Sequence, residues 1–532
     1  MNKPWWVVAG LLLAISVALV LRCPRLDARP MHNDEGVNAL KFRDLWEHGS
    51  FKYDPKEYHG PALYYATVAI SRLSGAPDFN HFSERRFRAV TILFGVALII
   101  LLPLLLDALG TKSLLWAAAF TAVSPAMVFY SRYYIHEMLL VFFAFLALSC
   151  GWRYWRSRKP GWAMLTGAAV GLMFATKETF VLSVIAAVLA LGLNQLWNRF
   201  LDASFEPHKT QRFVWWHLAA AAGVGALVII TLFSSLFTNW RGVLDAFLAF
   251  VVYRARPTDS AHFHGPFFYL HRLLFFHQPH GPIWSEGLIL VLALVGTAAA
   301  FARKGLVHAN PGFVRFLAFY AFGLLLIYSL LSYKTPWCLL NFWQPMLLLA
   351  GVGAAVLVRL AKYQWARVTA SVVLLAGAMQ LGGQAWQAST AYAATSQNPY
   401  VYAQTSGDAL KLVEKVRELS CYDSPESTVP SPQSGTRENS DMVIKVIAKE
   451  GDYWPLPWYL REFKHVGWYD GIPADPYGPV MIVSAQFRAG LDEAKTHLMI
   501  GYFELRPGVF FELYVEKELW TRFLAARPKS SL

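Results

Sequence analysis

Cysteine is scarce in this chain, with four among 532 residues. Cys23, Cys150, Cys338 and Cys421 lie far apart and include no Cys-x-x-Cys pair, so they point neither to a structural zinc site nor to a disulfide framework. Charge is scarce as well: 16% of the residues are charged, against 55% hydrophobic and 15% aromatic. A soluble protein of this length would have no interior large enough for that much apolar surface. No internal repeat is visible. No small-x-small cleavage pattern follows the first apolar run, which reads as a retained anchor, and Leu21-Arg22 before Cys23 is unlike a lipoprotein cleavage site.

What the chain has instead is long apolar blocks. Runs of roughly 17–22 apolar residues suffice to cross a hydrocarbon core of about 30 Å. About eleven are expected, over 5–21, 87–108, 114–130, 135–151, 161–176, 179–197, 214–237, 286–302, 313–332, 337–358 and 366–386. Stretches 60–73 and 241–252 are shorter and amphipathic, as interfacial helices are. The expected class is a polytopic α-helical membrane protein.

The net charge of +13 would suit a nucleic-acid partner, but its placement argues otherwise. Alternate loops collect the cations: Lys112, then Arg153, Arg156, Arg158 and Lys159, then Arg199, Lys209 and Arg212, then Arg303 and Lys304, then Arg359, Lys362 and Arg367. By the positive-inside rule these loops are cytoplasmic, together with the N-terminus and Lys3. The basic balance is thus a topology signal, and no nucleic acid is implied. An odd number of spans leaves the C-terminal portion outside, with the whole chain in the inner (cytoplasmic) membrane.

The opposite face holds the unusual chemistry. Its first loop contains Met31-His32-Asn33-Asp34-Glu35-Gly36, then Tyr58-His59-Gly60-Pro61, then Ser83-Glu84-Arg85-Arg86-Phe87-Arg88. Its next turns read Ser131-Arg132-Tyr133-Tyr134-Ile135-His136-Glu137 and Thr176-Lys177-Glu178-Thr179. A histidine-rich loop follows, with His262, His264, His271, His277 and His280, and then Tyr333-Lys334-Thr335-Pro336-Trp337. Snorkelling side chains would scatter lone Lys and Arg over both faces. Acids, bases and histidines at five successive helix ends of one face instead predict an outward-facing site where Asp34 meets the cations.

Residues 387–532 are more polar and read as a small extracytoplasmic α/β domain behind a transmembrane domain of residues 1–386. The expected elements are helices at 405–419, 454–463 and 489–498 and strands at 442–447, 479–484 and 510–515, with a loop over 423–440. Tyr453-Trp454-Pro455-Leu456-Pro457-Trp458-Tyr459 suits a packed core edge or a membrane-interface belt, with a sugar-stacking platform as the alternative.

Adjacent carboxylates point in different directions on most backbones, so Asp34 can face a cleft while Glu35 is held by a cation. A carboxylate near an apolar boundary serves as a general base, and a solvated turn or helix cap is its plainer use. Arg85, Arg86, Arg88, Arg132, Lys177 and Lys334 suit an anionic partner, most economically a lipid phosphate. A plainer use of Arg132 and Glu137 is to pair with each other across one helical turn. The histidines with Asp34 or Glu137 are an alternative metal site, although their spacing matches no metal motif. The cofactor set is therefore none, or a divalent metal.

These motifs, in this order, resemble the membrane glycosyltransferases of the GT-C fold. The chain is similar to the branch holding protein O-mannosyltransferases and lipid A aminoarabinose transferases, and more closely to the prokaryotic flippase activity-associated family. The resemblance covers roughly residues 1–390 and implies transfer of a sugar from a polyprenyl-phosphate donor to a hydroxyl of a glycan, lipid or protein, amid membrane lipids. It places the catalytic aspartate on Asp34, with Glu35 beside it and the second acidic position on Glu137. His59, Arg88, Arg132, Tyr133, His136, Glu137, Lys177, Glu178, His264 and Lys334 would bind substrate. No Trp-Trp-Asp-Tyr-Gly acceptor motif is present, which disfavours transfer of whole oligosaccharides to asparagine. A non-catalytic lipid-carrier binding protein assisting a flippase or polymerase is the alternative function. A secondary transporter fits poorly, because the ionisable residues gather at one face rather than the midplane.

Overall fold

Each of the eleven apolar runs folds into helix. The structure, a computed structural model, describes residues 5–56, 59–76, 78–201, 214–255, 262–306, 308–423 and 440–526. Nearly all of the expected loop at 423–440 lies outside these residues, as do Lys3, Tyr58, Lys209 and Arg212. Among the described residues, eight helices are long and apolar enough to cross a membrane, or nine if the bent pair Thr111–Val123 and Pro125–Ser131 counts as one span. Pro160–Phe174 and Gly287–Ala302 run for only 15 and 16 residues, so a count of eleven full spans is not established. The chain is a multi-pass membrane protein. The two amphipathic stretches form helices Ala62–Leu73 and Arg241–Ala255.

The chain divides into two compact units, the first of residues 1–26, 44–75 and 85–402, the second of residues 27–43, 76–84 and 403–532. In the first, helices approach one another through small residues, as they must where lipid supplies no hydrophobic drive to associate. A Cβ at Gly353 on Leu340–Leu360 would lie 1.9 Å from the Leu292 carbonyl oxygen of the neighbouring helix.

The third apolar run differs from its expected single span. It breaks at Ser124-Pro125 with a bend of 55°. Pro125 has no N–H to donate and forces Ser124 into extended backbone, which ends one helix and opens the next. The buried carboxylate of Glu286 stabilises that break. It accepts from the Ser124 hydroxyl at 2.5 Å, the Ala126 N–H at 2.9 Å, the Tyr400 hydroxyl at 2.7 Å and the Trp343 indole at 3.2 Å. Its isostere has one acceptor oxygen and two N–H groups facing donors. Glu286→Gln is therefore expected to lower stability by about 3 kcal/mol, read as a fall in the thermal midpoint of the protein in lipid nanodiscs. An unchanged midpoint would deny the carboxylate this role.

The second unit carries a five-stranded mixed sheet in the order β2-β1-β3-β5-β4. The strands are β1 (Ser440–Ile447), β2 (Phe463–Tyr469), β3 (Val480–Ser484), β4 (His497–Arg506) and β5 (Val509–Glu516). β1 pairs parallel with β2 and β3, while β5 pairs antiparallel with β3 and β4. Helix Gly407–Ser420 buries Ala409, Leu412, Val413, Val416 and Leu419, the apolar stripe of an amphipathic helix.

Two expected helices of this unit are corrected. Within 454–463 only the turn Leu456–Tyr459 is helical, capped by Pro455, with Pro457 inside its first turn and β2 beginning at Phe463. Within 489–498 the chain turns through Gly490 and Lys495, both at positive φ, and β4 begins at His497. β2 and β4 are the two edge strands, each pairing on one side, and their mixed sequences lack the solid apolar run of a central strand.

Candidate active site

The second unit contains Asp34 and Glu35, in the first turn of helix Asn33–His48. His32 caps that helix. Its Nδ1 accepts the Asp34 N–H at 3.1 Å, and its own N–H donates to Glu35 Oε2 at 2.9 Å. This is a capping box with histidine in the place usually held by Ser or Thr. An Nδ1 that accepts carries no proton, so the imidazole here is the neutral Nε2–H tautomer rather than a cation paired with Asp34.

Glu35 is fully buried, and its second oxygen accepts from Arg29 Nη2 at 3.0 Å. Arg29 also donates to Gln404 Oε1 at 3.1 Å, and Gln404 and Thr405 donate to the Pro30 and Met31 carbonyls at 3.1 and 2.6 Å. The Tyr459 hydroxyl accepts the Met31 N–H at 2.7 Å. The turn before the helix is thus pinned by groups far away in sequence. Asp34 is the one carboxylate of the pair left over: its side chain is 44% exposed, and among the described residues none donates a hydrogen bond to it.

In the first unit, three expected segments converge. The loop after Pro160–Phe174 brings Lys177 and Glu178; the segment before Ala62–Leu73 brings His59 and Gly60; the turn before Glu137–Ser157 brings His136 and Glu137. The Ala62 N–H donates to the Ala175 carbonyl at 2.8 Å. Gly60 lies so close to the same carbonyl that a Cβ there would sit 2.2 Å from its oxygen, which explains the glycine of His-Gly-Pro.

Glu178 Oε2 is 2.8 Å from His59 Nδ1, and Tyr53 donates to Oε1 at 3.0 Å. His136 Nε2 lies 3.1 Å from the Gly60 carbonyl oxygen and must donate to it. Lys177 and Glu137 form a buried ion pair. Lys177 and Glu178 are neighbours that take different partners.

Burial pushes the Glu178 carboxyl up, but the charge and hydrogen bond of His59, with help from a backbone N–H and Lys177, outweigh it and draw the pKa down to about 2. A group depressed in the folded state stabilises it above its unfolded pKa and ceases to do so as pH falls through the folded value. The charge of Glu178 is thus expected to contribute roughly 3 kcal/mol at neutral pH, lost progressively between about pH 4.5 and pH 2. Thermal midpoints of wild type and Glu178→Gln should converge as pH is lowered through that window. Parallel curves would assign the shift elsewhere.

A second cluster of this unit gathers cations. Segment 262–264 pairs with 332–334 through the His264 N–H to the Ser332 carbonyl at 3.1 Å and the Lys334 N–H to the His262 carbonyl at 3.0 Å. The buried Lys334 ammonium donates to the His264 carbonyl at 2.8 Å and to that of Leu331. Burial lowers its pKa. Burial also lowers that of His264, helped by Arg272, His262 and Lys334 around it. Tyr402 bridges His262 at 2.6 Å and His264 at 3.5 Å.

Arg272, which the sequence reading passed over, lies with its guanidinium 3.7 Å from the centre of the Phe268 ring. Among the described residues it makes no hydrogen bond and no ion pair, and its Nε is buried without a partner. Only its place among outer-loop histidines could have singled it out.

Arg132 and Arg88 have another setting. Arg132 donates to the carbonyls of Leu21, Arg22 and Arg25 at 3.4, 3.2 and 3.2 Å, and Arg88 donates to that of Leu26. Both satisfy orphan acceptors at the end of the first helix, where cations also suit the macrodipole. Tyr133 is buried against Phe129 and Tyr130, with ring centres 5.0 and 5.8 Å away. Among the described residues no group of three His, Cys, Asp or Glu could hold a metal ion.

A many-helix membrane unit with polar residues at its helix ends, in a chain that also carries a small mixed sheet, has the GT-C fold of the solved structures it resembles. Residues 64–247 match the family model of dolichyl-phosphate-mannose-protein mannosyltransferases. Among solved structures, the chain is similar to ArnT from Cupriavidus metallidurans bound to undecaprenyl phosphate, at 15% identity and a TM-score of 0.62, covering 98% of this chain and 99% of that one. It is similar to the Archaeoglobus fulgidus oligosaccharyltransferase at 13% identity and a TM-score of 0.51, covering 88% and 65%. The arabinofuranosyltransferase AftD from Mycobacteria follows at 14% identity and 0.50, covering 97% and 40%. None of the curated proteins matches the chain.

Proposed function

We propose that this chain is an integral membrane glycosyltransferase that moves a sugar from a polyprenyl-phosphate-linked donor to an acceptor hydroxyl on the extracytoplasmic side of the inner membrane. The observation that carries the reading is the division of labour at the helix cap: Glu35 is saturated by Arg29 and the His32 N–H, while Asp34 keeps a half-exposed carboxylate with no hydrogen-bond donor among the described residues. Asp34 is the base and Glu35 its positioning neighbour.

In the reaction, the acceptor O–H proton passes to Asp34 as the acceptor oxygen bonds to the anomeric carbon. The bond from that carbon to the phosphate oxygen breaks, and its electron pair leaves with the polyprenyl phosphate. One base and one displacement invert the anomeric centre. Within the first unit, Arg272 and Lys334, with His264 and Tyr402, form a cation cluster whose chemistry suits a phosphate. The His59–Glu178 and Lys177–Glu137 pairs, with His136, supply polar groups for substrate in the same unit, and Arg88 and Arg132 hold the chain where it leaves the first helix. A structure of this fold is solved with undecaprenyl phosphate bound, which supports a donor of that class.

The test is turnover in proteoliposomes with a polyprenyl-phosphate hexose or pentose, followed by release of polyprenyl phosphate and by NMR of the product anomer. Retained configuration would remove the single displacement. Donor binding without release under any acceptor would favour a non-catalytic carrier-binding protein.

A further inference from the structure

The aromatic run from Tyr453 to Tyr459 divides in two. Trp458 and Tyr459 belong to the core of the second unit: Trp458 is fully buried under Arg461, 3.6 Å from the ring centre, and its indole donates to Glu84 at 2.9 Å. Tyr453 and Trp454 are left half-buried and join Trp468 of β2. Tyr453 lies 6.2 Å from Trp454 and 4.8 Å from Trp468, centre to centre, with tilts of 35° and 44°. Among the described residues, the Tyr453 hydroxyl and the two indole N–H groups have no hydrogen-bond partner.

The platform is held by its neighbours. Arg506 donates to the carbonyls of Asp452 and Trp454 at 3.2 and 3.1 Å and pairs with the Asp452 carboxylate. A Cβ on Gly36 would stand 2.8 Å from Pro455 Cβ and 3.6 Å from the Trp454 ring. Trp454 therefore packs against the helical turn that presents Asp34, and only glycine at 36 lets it come so near. Apolar ring faces with three N–H or O–H donors, close to the helical turn that carries the Asp34 carboxylate, match a pyranose, with its C–H face and its rim of hydroxyls.

We propose that Tyr453, Trp454 and Trp468 form the acceptor subsite and bind a sugar ring whose hydroxyl faces Asp34, so that the acceptor is a glycan or a glycosylated lipid. This rests on the glycosyltransferase reading above. A membrane-interface belt is the competing use of such rings.

The experiment is saturation-transfer NMR on the full chain in lipid nanodiscs, with methyl glycosides of glucose, galactose and mannose as probes. At least one should take up saturation, and Trp454→Ala and Trp468→Ala should each reduce it by about fivefold or more, while Asp34→Asn retains it. Trp468→Ala serves should Trp454→Ala fold poorly. In turnover, Trp454→Ala should raise the acceptor KM by about tenfold and leave donor affinity unchanged.

Absent saturation with all three glycosides, or saturation indifferent to both tryptophan variants, overturns the subsite while leaving the donor chemistry intact. Quenching of wild-type fluorescence by spin-labelled lipid that both variants abolish also overturns it, in favour of the belt. Glycoside binding lost in the variants, with no polyprenyl phosphate released by wild type, would keep the platform and sink the transferase.

Discussion

Asp34→Asn is expected to reduce turnover by about 10³-fold, the usual scale of a lost general base, with donor affinity changed by less than about twofold. The prediction depends on the substitution leaving the cap alone. Asparagine keeps the shape of the side chain and the N–H that His32 accepts, and gives up only a favourable charge in the first turn, worth about 0.3–1 kcal/mol. The thermal midpoint should therefore barely move.

Glu35→Gln should show the reverse emphasis. It breaks the buried pair with Arg29 and leaves the guanidinium without its counter-charge, at about 3–5 kcal/mol. Its activity should fall because the turn is no longer held, and the thermal midpoint should fall with it. Turnover measured beside thermal unfolding for the two variants separates base from scaffold. An Asp34→Asn protein that turns over normally would move the base elsewhere, and equal loss of stability in both would reduce the pair to a helix cap.

Much of this was legible in the chain because it is written locally. Apolar runs long enough to cross a bilayer leave few choices, and each became helix. The partition of Asp34 from Glu35 follows from adjacency, since neighbours on the first turn of a helix cannot share a direction. The break at Ser124-Pro125 was harder to see because its cause is shared. Proline permits a bend, but the carboxylate that stabilises this one comes from Glu286, 160 residues away. The carbonyl contacts of Arg88 and Arg132 were hidden for the same reason: a guanidinium near a membrane surface looks alike in sequence whatever acceptors it meets.

In the tail, the central strands β1, β3 and β5 were found near their expected places and the edge strands were missed. Pairing on one side only allows an edge strand a polar, helix-like sequence. The ties from Arg29, Pro30 and Met31 to Gln404, Thr405 and Tyr459 span more than 370 residues, beyond any local signal.

Arg272→Met should weaken donor binding by about 100-fold and at the same time raise the stability of the protein without donor. The two signs come from one fact: the half-buried guanidinium has its Nε shut off from water with no acceptor among the described residues, and is stacked on Phe268 as its compensation. Cation–π contact returns about 2 kcal/mol at most, less than the cost of leaving such a group without its hydrogen bonds. Methionine fills similar volume with no charge to desolvate, so the midpoint in the absence of ligand should rise by several degrees. A phosphate would supply the missing acceptors through charge-assisted bonds worth about 1.5–3 kcal/mol each, which sets the loss of affinity.

Arg272→Lys should fall between the two, keeping the charge without the planar fork. Lys334→Met should behave differently. Its ammonium already bonds to two carbonyls, so its removal leaves those acceptors bare and lowers stability along with affinity. Calorimetry with polyprenyl phosphate in nanodiscs, read beside thermal unfolding, tests both. An Arg272→Met protein that is less stable and binds normally would show the guanidinium to be a structural group, and the anion site would have to be sought among other cations.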